Sequence, residues 1–329
     1  MMKFLEGFDS YGAVSFQSSY KWDNANVVTL GSGRFSGNAA FLGTTTLKKL
    51  VGASTGLTAG FSLILPEAGG AFMQWRDNTD SYIMDIGTNP TNSLLFITSS
   101  TVAYSSSPIP LNTWIYFEVS ILNFSSSAAG NILVRMNGEQ IFSSPAGFVL
   151  LGSGSGSGFV LNGDGVNTIG YDDLYICDNT GTYNTSFIED GEILTLFPDG
   201  PGAVTDFSLF GAATNWQAVI EQPFDGDTSY VYSGVDTDQD LYTIADMPVG
   251  QTIVIPGIAV NTVARKDNTG SIGFIPLAKS GINLGSGTTT PVTSSYLEYQ
   301  YIFEREPVTN NPWDETLVNS LQIGAEVDI

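Results

Sequence analysis

The sequence predicts an all-β chain of antiparallel sandwiches, on three observations: hydrophobicity with a period of two, an Asn-Gly pair between alternating runs, and short apolar runs separated by turn residues. The first is plainest in Trp114-Ile115-Tyr116-Phe117-Glu118-Val119-Ser120-Ile121, where positions 115, 117, 119 and 121 are all apolar and the opposite positions are mixed. Side chains alternate across a strand, so this pattern marks a strand with one side toward a core. The second is Asn137-Gly138, set between Asn131-Ile132-Leu133-Val134-Arg135-Met136 and Glu139-Gln140-Ile141-Phe142. A type I′ turn needs positive φ at both central residues, which Asn and Gly tolerate, so the segment reads as a β-hairpin. The third is the recurrence of short runs at 61–65, 72–75, 82–86, 94–97 and 253–255. Such spacing indicates an antiparallel sandwich, not alternating βα units.

Gly152-Ser153-Gly154-Ser155-Gly156-Ser157-Gly158 has the composition of a linker. It is flanked by Phe148-Val149-Leu150-Leu151 and Phe159-Val160-Leu161, and a strand at 171–177 is needed after it to complete the first sandwich. It therefore reads as a mobile surface loop. The domain boundary is placed at Phe197-Pro198-Asp199-Gly200-Pro201-Gly202, where two prolines and two glycines interrupt regular structure. Domain one is then 3–198, and domain two, smaller and β-rich, is 203–329.

The second domain is expected to end in a short helix at about 312–323. Asn311 can cap it, Pro312 suits the first helical position, and Asp314 and Glu315 complement the positive end of the helix dipole. Trp313, Leu317 and Leu321 fall on one face, and Gly324 supplies a stop. A strand at 296–304 precedes it, with Leu297, Tyr299, Tyr301 and Phe303 on one side.

Composition removes several functions. Acidic residues outnumber basic ones 33 to 11, the formal net charge is −22, and there is no histidine. Nucleic-acid binding needs Lys and Arg to neutralise phosphates, so that role is disfavoured. Without histidine, the usual general base and a Ser-His-Asp triad are absent. No Gly-Lys-Ser/Thr tripeptide opens a phosphate cradle. Cys177 is the single cysteine, so neither an intramolecular disulfide nor a thiolate zinc site can form, and it reads as a buried hydrophobe. No run reaches about 18 apolar residues, so no membrane span is expected. The opening Met-Met-Lys-Phe-Leu-Glu-Gly-Phe-Asp carries an acid where a secretion signal needs an apolar run.

Several segments carry a family likeness. Glu6-Gly7-Phe8-Asp9, Gly33-Arg34-Phe35-Ser36-Gly37-Asn38-Ala39 before Leu42-Gly43, Asn112-Thr113-Trp114-Ile115-Tyr116-Phe117-Glu118, 130–138 and Asp172-Asp173-Leu174-Tyr175-Ile176 follow in this order. In that order they resemble the concanavalin A-like, laminin-G-like jelly rolls. The chain is also similar, over nearly its full length, to minor structural proteins of tailed bacteriophages. Asp225-Gly226-Asp227-Thr228-Ser229-Tyr230-Val231, then Arg265-Lys266-Asp267, then Trp313 with 318–327 carry that likeness. It implies a place on the virion and identifies no site.

Asp172-Asp173 is the most tempting acid–base pair. Neighbours on a regular strand point to opposite faces, so the two carboxylates should not converge on one substrate. The jelly-roll resemblance instead implies that they end a hairpin and bind backbone amides. Asp236-Thr237-Asp238-Gln239-Asp240 opens like a calcium loop, but Leu241 and Met247 stand where an EF-hand needs Gly and Glu. A calcium site of another type, using Asp236, Asp238 and Asp240 or Asp225 and Asp227, stays open beside a solvated acidic loop. Asn162-Gly163-Asp164-Gly165 reads as a turn. Tyr20, Trp22, Trp75, Tyr104 and Trp216 are the loop aromatics that could face a glycan, against the commoner alternative that they fill cores.

The reading that follows is a non-enzymatic virion subunit with no cofactor, made in the host cytoplasm and exposed on the tail, neck or capsid exterior. Its partners would be other virion proteins and further copies of itself; a trimer would suit a fibre or decoration protein. No nucleic acid and no membrane is among them. The aromatic-rich segments at Trp313 and 296–304 are the expected anchoring elements. The alternatives are a host-surface glycan adhesin on the same particle and a carboxylate-dependent polysaccharide depolymerase.

Overall fold

The computed structural model describes residues 1–12, 15–17 (backbone only), 20–24, 26–152, 154–163, 165, 168–248 and 254–329. The chain forms two compact units, Met1–Leu194 and Thr195–Ile329. Among the described residues, nearly all regular structure is antiparallel β-sheet.

Unit one contains β1 (Met2–Glu6), β2 (Ser15–Gln17), β3 (Val27–Ser32), β4 (Asn38–Leu42), β5 (Thr46–Ser54), β6 (Leu57–Ile64), β7 (Ala71–Arg76) and β8 (Tyr82–Thr88). It continues with β9 (Leu94–Thr98), β10 (Val102–Pro108), β11 (Ile115–Ile121), β12 (Ile132–Met136), β13 (Glu139–Ser143), β14 (Gly156–Asn162) and β15 (Ile169–Asp178). A nine-stranded sheet runs β13-β12-β11-β6-β15-β4-β3-β2, with β1 also paired to β15, and a six-stranded sheet runs β10-β9-β8-β7-β14-β5. Their facing sides share one core. Phe117 of the larger sheet meets Phe72 of the smaller at 5.3 Å between ring centroids, and the Tyr171 hydroxyl donates to Phe72 O at 2.8 Å. Fully burying a side chain of this size contributes about 1.5–3 kcal/mol, and the bonded hydroxyl avoids stranding a polar group. In the strand at 115–121, Ile115, Phe117, Val119 and Ile121 join the shared core as the alternation requires, with Phe61 opposite Phe117 in the β6–β11 register. Tyr116, Glu118 and Ser120 on the other face are buried as well. Asn137 (φ 50°) and Gly138 (φ 82°) form the hairpin turn between β12 and β13. Cys177 is buried in β15 opposite Met2.

The glycine-serine repeat departs from its expected form in its second half, Gly152, Gly154 and Ser155 being unburied loop. Gly156-Ser157-Gly158 opens β14, a buried strand hydrogen-bonded between β7 and β5, and is not surface loop. A Cβ on Gly158 would lie 2.0 Å from Lys49 O, so the absent side chain lets two backbones approach. Ser153 lies outside the described residues.

Unit two contains β16 (Pro198–Thr205), β17 (Ser208–Phe210), β18 (Tyr230–Tyr232), β19 (Gln239–Ile244), β20 (Ile258–Ala264) and β21 (Gly273–Ser280). After these come β22 (Asn283–Ser286), β23 (Thr290–Pro291), β24 (Leu297–Phe303), α1 (Glu315–Asn319) and β25 (Leu321–Asp328). The main sheet runs β16-β19-β25-β21-β22 with β23 on β21; β17-β18 and β20-β24 form two-stranded sheets. Three expectations are corrected here. Residues 198–202 do not interrupt regular structure but belong to β16; this is an edge strand with register shifts at Pro198/Gly200 and Pro201/Thr205, where proline is tolerated. The helix is α1 alone, capped by the Asp314 side chain accepting Leu317 N–H at 2.8 Å, and not by Asn311. Leu321 and Gly324 lie in β25, because pairing with both β19 and β21 satisfies more backbone than another helical turn would. Ile255 bridges Trp313, while Ile253 lies outside the described residues. No helix among the described residues is long and apolar enough to cross a membrane.

Candidate functional site

The outer face of the nine-stranded sheet carries the acid pair singled out from sequence, Asp172 and Asp173. The β6–β15 register breaks between Asp172 and Tyr175, and Asp173 takes φ 49°. This bulge overturns the expectation that neighbouring carboxylates point apart. Tyr171 and Leu174 enter the core, whereas Asp172 and Asp173 both lie on the other side. Asp172 accepts Arg34 N–H at 2.9 Å and Asp173 N–H at 2.9 Å; Asp173 accepts the Ser62 hydroxyl at 2.8 Å and Ile193 N–H at 2.9 Å. Both are 3% exposed. Burial pushes both carboxyls above the ordinary carboxylate range; the charge of Asp173 adds to this at Asp172, while the amides of Arg34 and Ile193 oppose it.

Residues 187–193 are stitched across this face. Arg34 forms a two-pronged pair with Asp190 at 2.5 and 2.7 Å, and Ser36 donates to Glu192 at 2.9 Å. Glu118, wholly buried, accepts the Tyr175 hydroxyl at 2.5 Å and Glu189 N–H at 3.0 Å, and the Arg135 guanidinium lies 4.3 Å over the Phe187 ring. Sequence reasoning missed Arg34, Ser62 and Glu118. The one available signal was an acid at 118 inside a strongly apolar strand.

The acidic loops of unit two do not converge. Asp236 accepts Ile329 N–H, Asp238 accepts the Ser233 hydroxyl, and Asp225 accepts Ser229. Asp227 pairs with Arg265 at 2.8 Å and accepts the Tyr296 hydroxyl at 2.7 Å, and these contacts hold its pKa down. Among the described residues no group of three or more His, Cys, Asp or Glu side chains could hold a metal ion. Of the turn at 162–165, Asp164 lies outside the described residues; Gly163 and Gly165 donate to Thr45 O and Gly43 O.

The loop aromatics separate sharply. Trp22 and Trp75 are core residues, 3% and 0% exposed, Tyr20 is half-buried, and Tyr104 is exposed. Trp216 is half-buried and lines a cleft of about 250 Å³. Thr205 of β16, Leu209 of β17, Asn215, and Leu241 and Tyr242 of β19 line it as well. Asn215 donates through Nδ2 to Phe207 O at 2.9 Å and to Asp240 Oδ2 at 2.6 Å, and the Tyr242 hydroxyl donates to the same oxygen at 3.0 Å. Asp240 is 1% exposed and its Oδ1 accepts no hydrogen bond; burial raises its pKa. Only Trp216 was legible beforehand, because β16–β19 pairing, not sequence proximity, brings Thr205 and Tyr242 to it. Of the expected anchors, Trp313 is interior: it is 2% exposed, donates through Nε1 to Phe303 O at 2.8 Å, and packs in the same cluster as Tyr301 and Val318, whereas the strand at 296–304 is half-buried except at Phe303.

No protein-family profile and no curated protein matches the sequence. Similar solved structures include a sialidase at 9% identity and TM-score 0.33, covering 50% of this chain and 16% of that one. Trypanosoma rangeli sialidase in complex with the inhibitor DANA matches at 9% and 0.31, covering 51% and 29%. The binding domain of Botulinum Neurotoxin DC in complex with SialylT matches at 10% and 0.33, covering 98% and 95%. This chain thus spans less than a third of those sialidases. Identities and TM-scores this low carry no argument about activity or ligand.

Proposed function

We propose that the chain is a non-enzymatic structural subunit of a tailed-phage particle, displayed on the exterior of the tail, neck or capsid. The observation that supports the non-enzymatic part of the reading is the use made of its strongest acid pair. Asp172 and Asp173 are consumed by main-chain amides and the Ser62 hydroxyl, so they act as mortar between β15, Arg34 and Ile193. A substrate would have to displace residues 187–193 to reach them. Two segments that carry the phage resemblance also meet, through the Asp227–Arg265 pair. Repeated copies on a particle would hold weak individual contacts by avidity. Purified particles labelled with antibody to this chain test the reading: label on the exterior is expected, and absence of the chain from the particles would overturn it.

A second reading, a host-surface glycan adhesin on the same particle, is favoured by one observation, the half-buried Trp216 in the unit-two cleft.

A further inference from the structure

We propose that the Trp216 cleft binds a single ring of a neutral sugar at the end of a surface glycan; this rests on the adhesin reading and assigns it a site. The cleft, at about 250 Å³, falls below the roughly 300–1,000 Å³ typical of pockets for drug-sized ligands and suits one ring. Its lining is amphipathic in the way a pyranose is. The indole of Trp216 and the side chain of Leu209 offer apolar surface to ring C–H groups, and the Thr205 hydroxyl can donate to and accept from sugar hydroxyls. Asn215 adds an acceptor of fixed identity. Its amide donates through Nδ2 to both Phe207 O and Asp240 Oδ2, which leaves Oδ1 to receive a hydroxyl proton.

Charge decides between glycan classes. No lysine or arginine lines the cleft, and the carboxyl of Asp240 stands directly behind Asn215 and Tyr242. A sialylated or sulfated sugar would find no counter-charge there and would meet a chain of net charge −22. A neutral hexose or N-acetylhexosamine meets no such opposition.

The test is a glycan array probed with the full chain, its Trp216→Ala variant and its Thr205→Val variant, with melting temperatures as the folding control. Thr205 is exposed, so its variant should fold even where Trp216→Ala does not. The expected result is binding to neutral hexose- or N-acetylhexosamine-terminated glycans, weakened about tenfold or more by Trp216→Ala and measurably by Thr205→Val. Glycan binding left unchanged by Thr205→Val, and by Trp216→Ala where that variant folds, would overturn the site and leave the adhesin reading standing. Binding confined to sialylated or sulfated glycans would overturn the neutral-sugar assignment. No binding to any glycan would overturn the adhesin reading and the site together.

Discussion

Lys21 Nζ lies 3.1 Å from Glu6 Oε2, and each side chain is 2% exposed. The same carboxylate accepts Phe8 N–H at 2.8 Å and the Tyr11 hydroxyl at 2.5 Å. Around it, Trp22 packs edge-on against Phe4 at 5.2 Å and stacks on Phe8 at 6.0 Å. A charge pair sealed by aromatic rings is costly to desolvate, and costlier still to break on one side. Lys21→Met should therefore destabilise the protein by about 3–5 kcal/mol, because it strands the Glu6 charge. The double variant Glu6→Gln/Lys21→Met should recover a large part of that loss. Urea unfolding measures both; a single variant within about 0.5 kcal/mol of the parent would show the pair to be dispensable.

Asp172 and Asp173 give the fold a pH dependence with a definite sign. Their folded pKa values lie above the ordinary 3.8, so the native state retains protons that the unfolded chain has released. Their contribution is fully present below 3.8 and is lost as pH rises through the raised values. The melting temperature is expected to be higher near about pH 5 than near about pH 8, and Asp172→Asn should flatten that slope. An unchanged slope in the variant would remove the pair as its source.

Gly158 tests whether the glycine-serine repeat is strand or loop. Gly158→Ala should cost about 1–3 kcal/mol or more, because its Cβ meets the backbone of Lys49. Gly191, with nothing within 4 Å of a Cβ, should accept alanine within about 0.5 kcal/mol. Equal effects in thermal unfolding would contradict the burial of β14.

Trp313→Ala removes a ring that is 2% exposed and holds Phe303 O through Nε1. A cost of about 3–5 kcal/mol is expected in denaturant unfolding. Were Trp313 a docking residue instead, the variant would lose partner binding while keeping its stability.

Local pattern made much of the sandwich legible. Val119 and Ile121 face the core because a strand alternates, and Asn137-Gly138 turns because both residues accept positive φ. It failed where pairing partners decided the outcome. Leu321 and Gly324 carry a helix-ending pattern, yet β19 and β21 offer their backbone a ladder on both sides. Pro198 and Pro201 look like breakers, yet an edge strand needs hydrogen bonds along one side alone.

What the residues determined unaided was the β class, the hairpin and the want of histidine chemistry, since alternation, turn conformation and side-chain inventory are properties of neighbours or of counts. What the tertiary structure alone decided was the direction of Asp172 and Asp173 and the assembly of the Trp216 cleft. A bulge depends on the strand opposite, and Thr205, Trp216 and Tyr242 meet only when β16 pairs with β19. Those are contacts between distant segments, and no local preference encodes them.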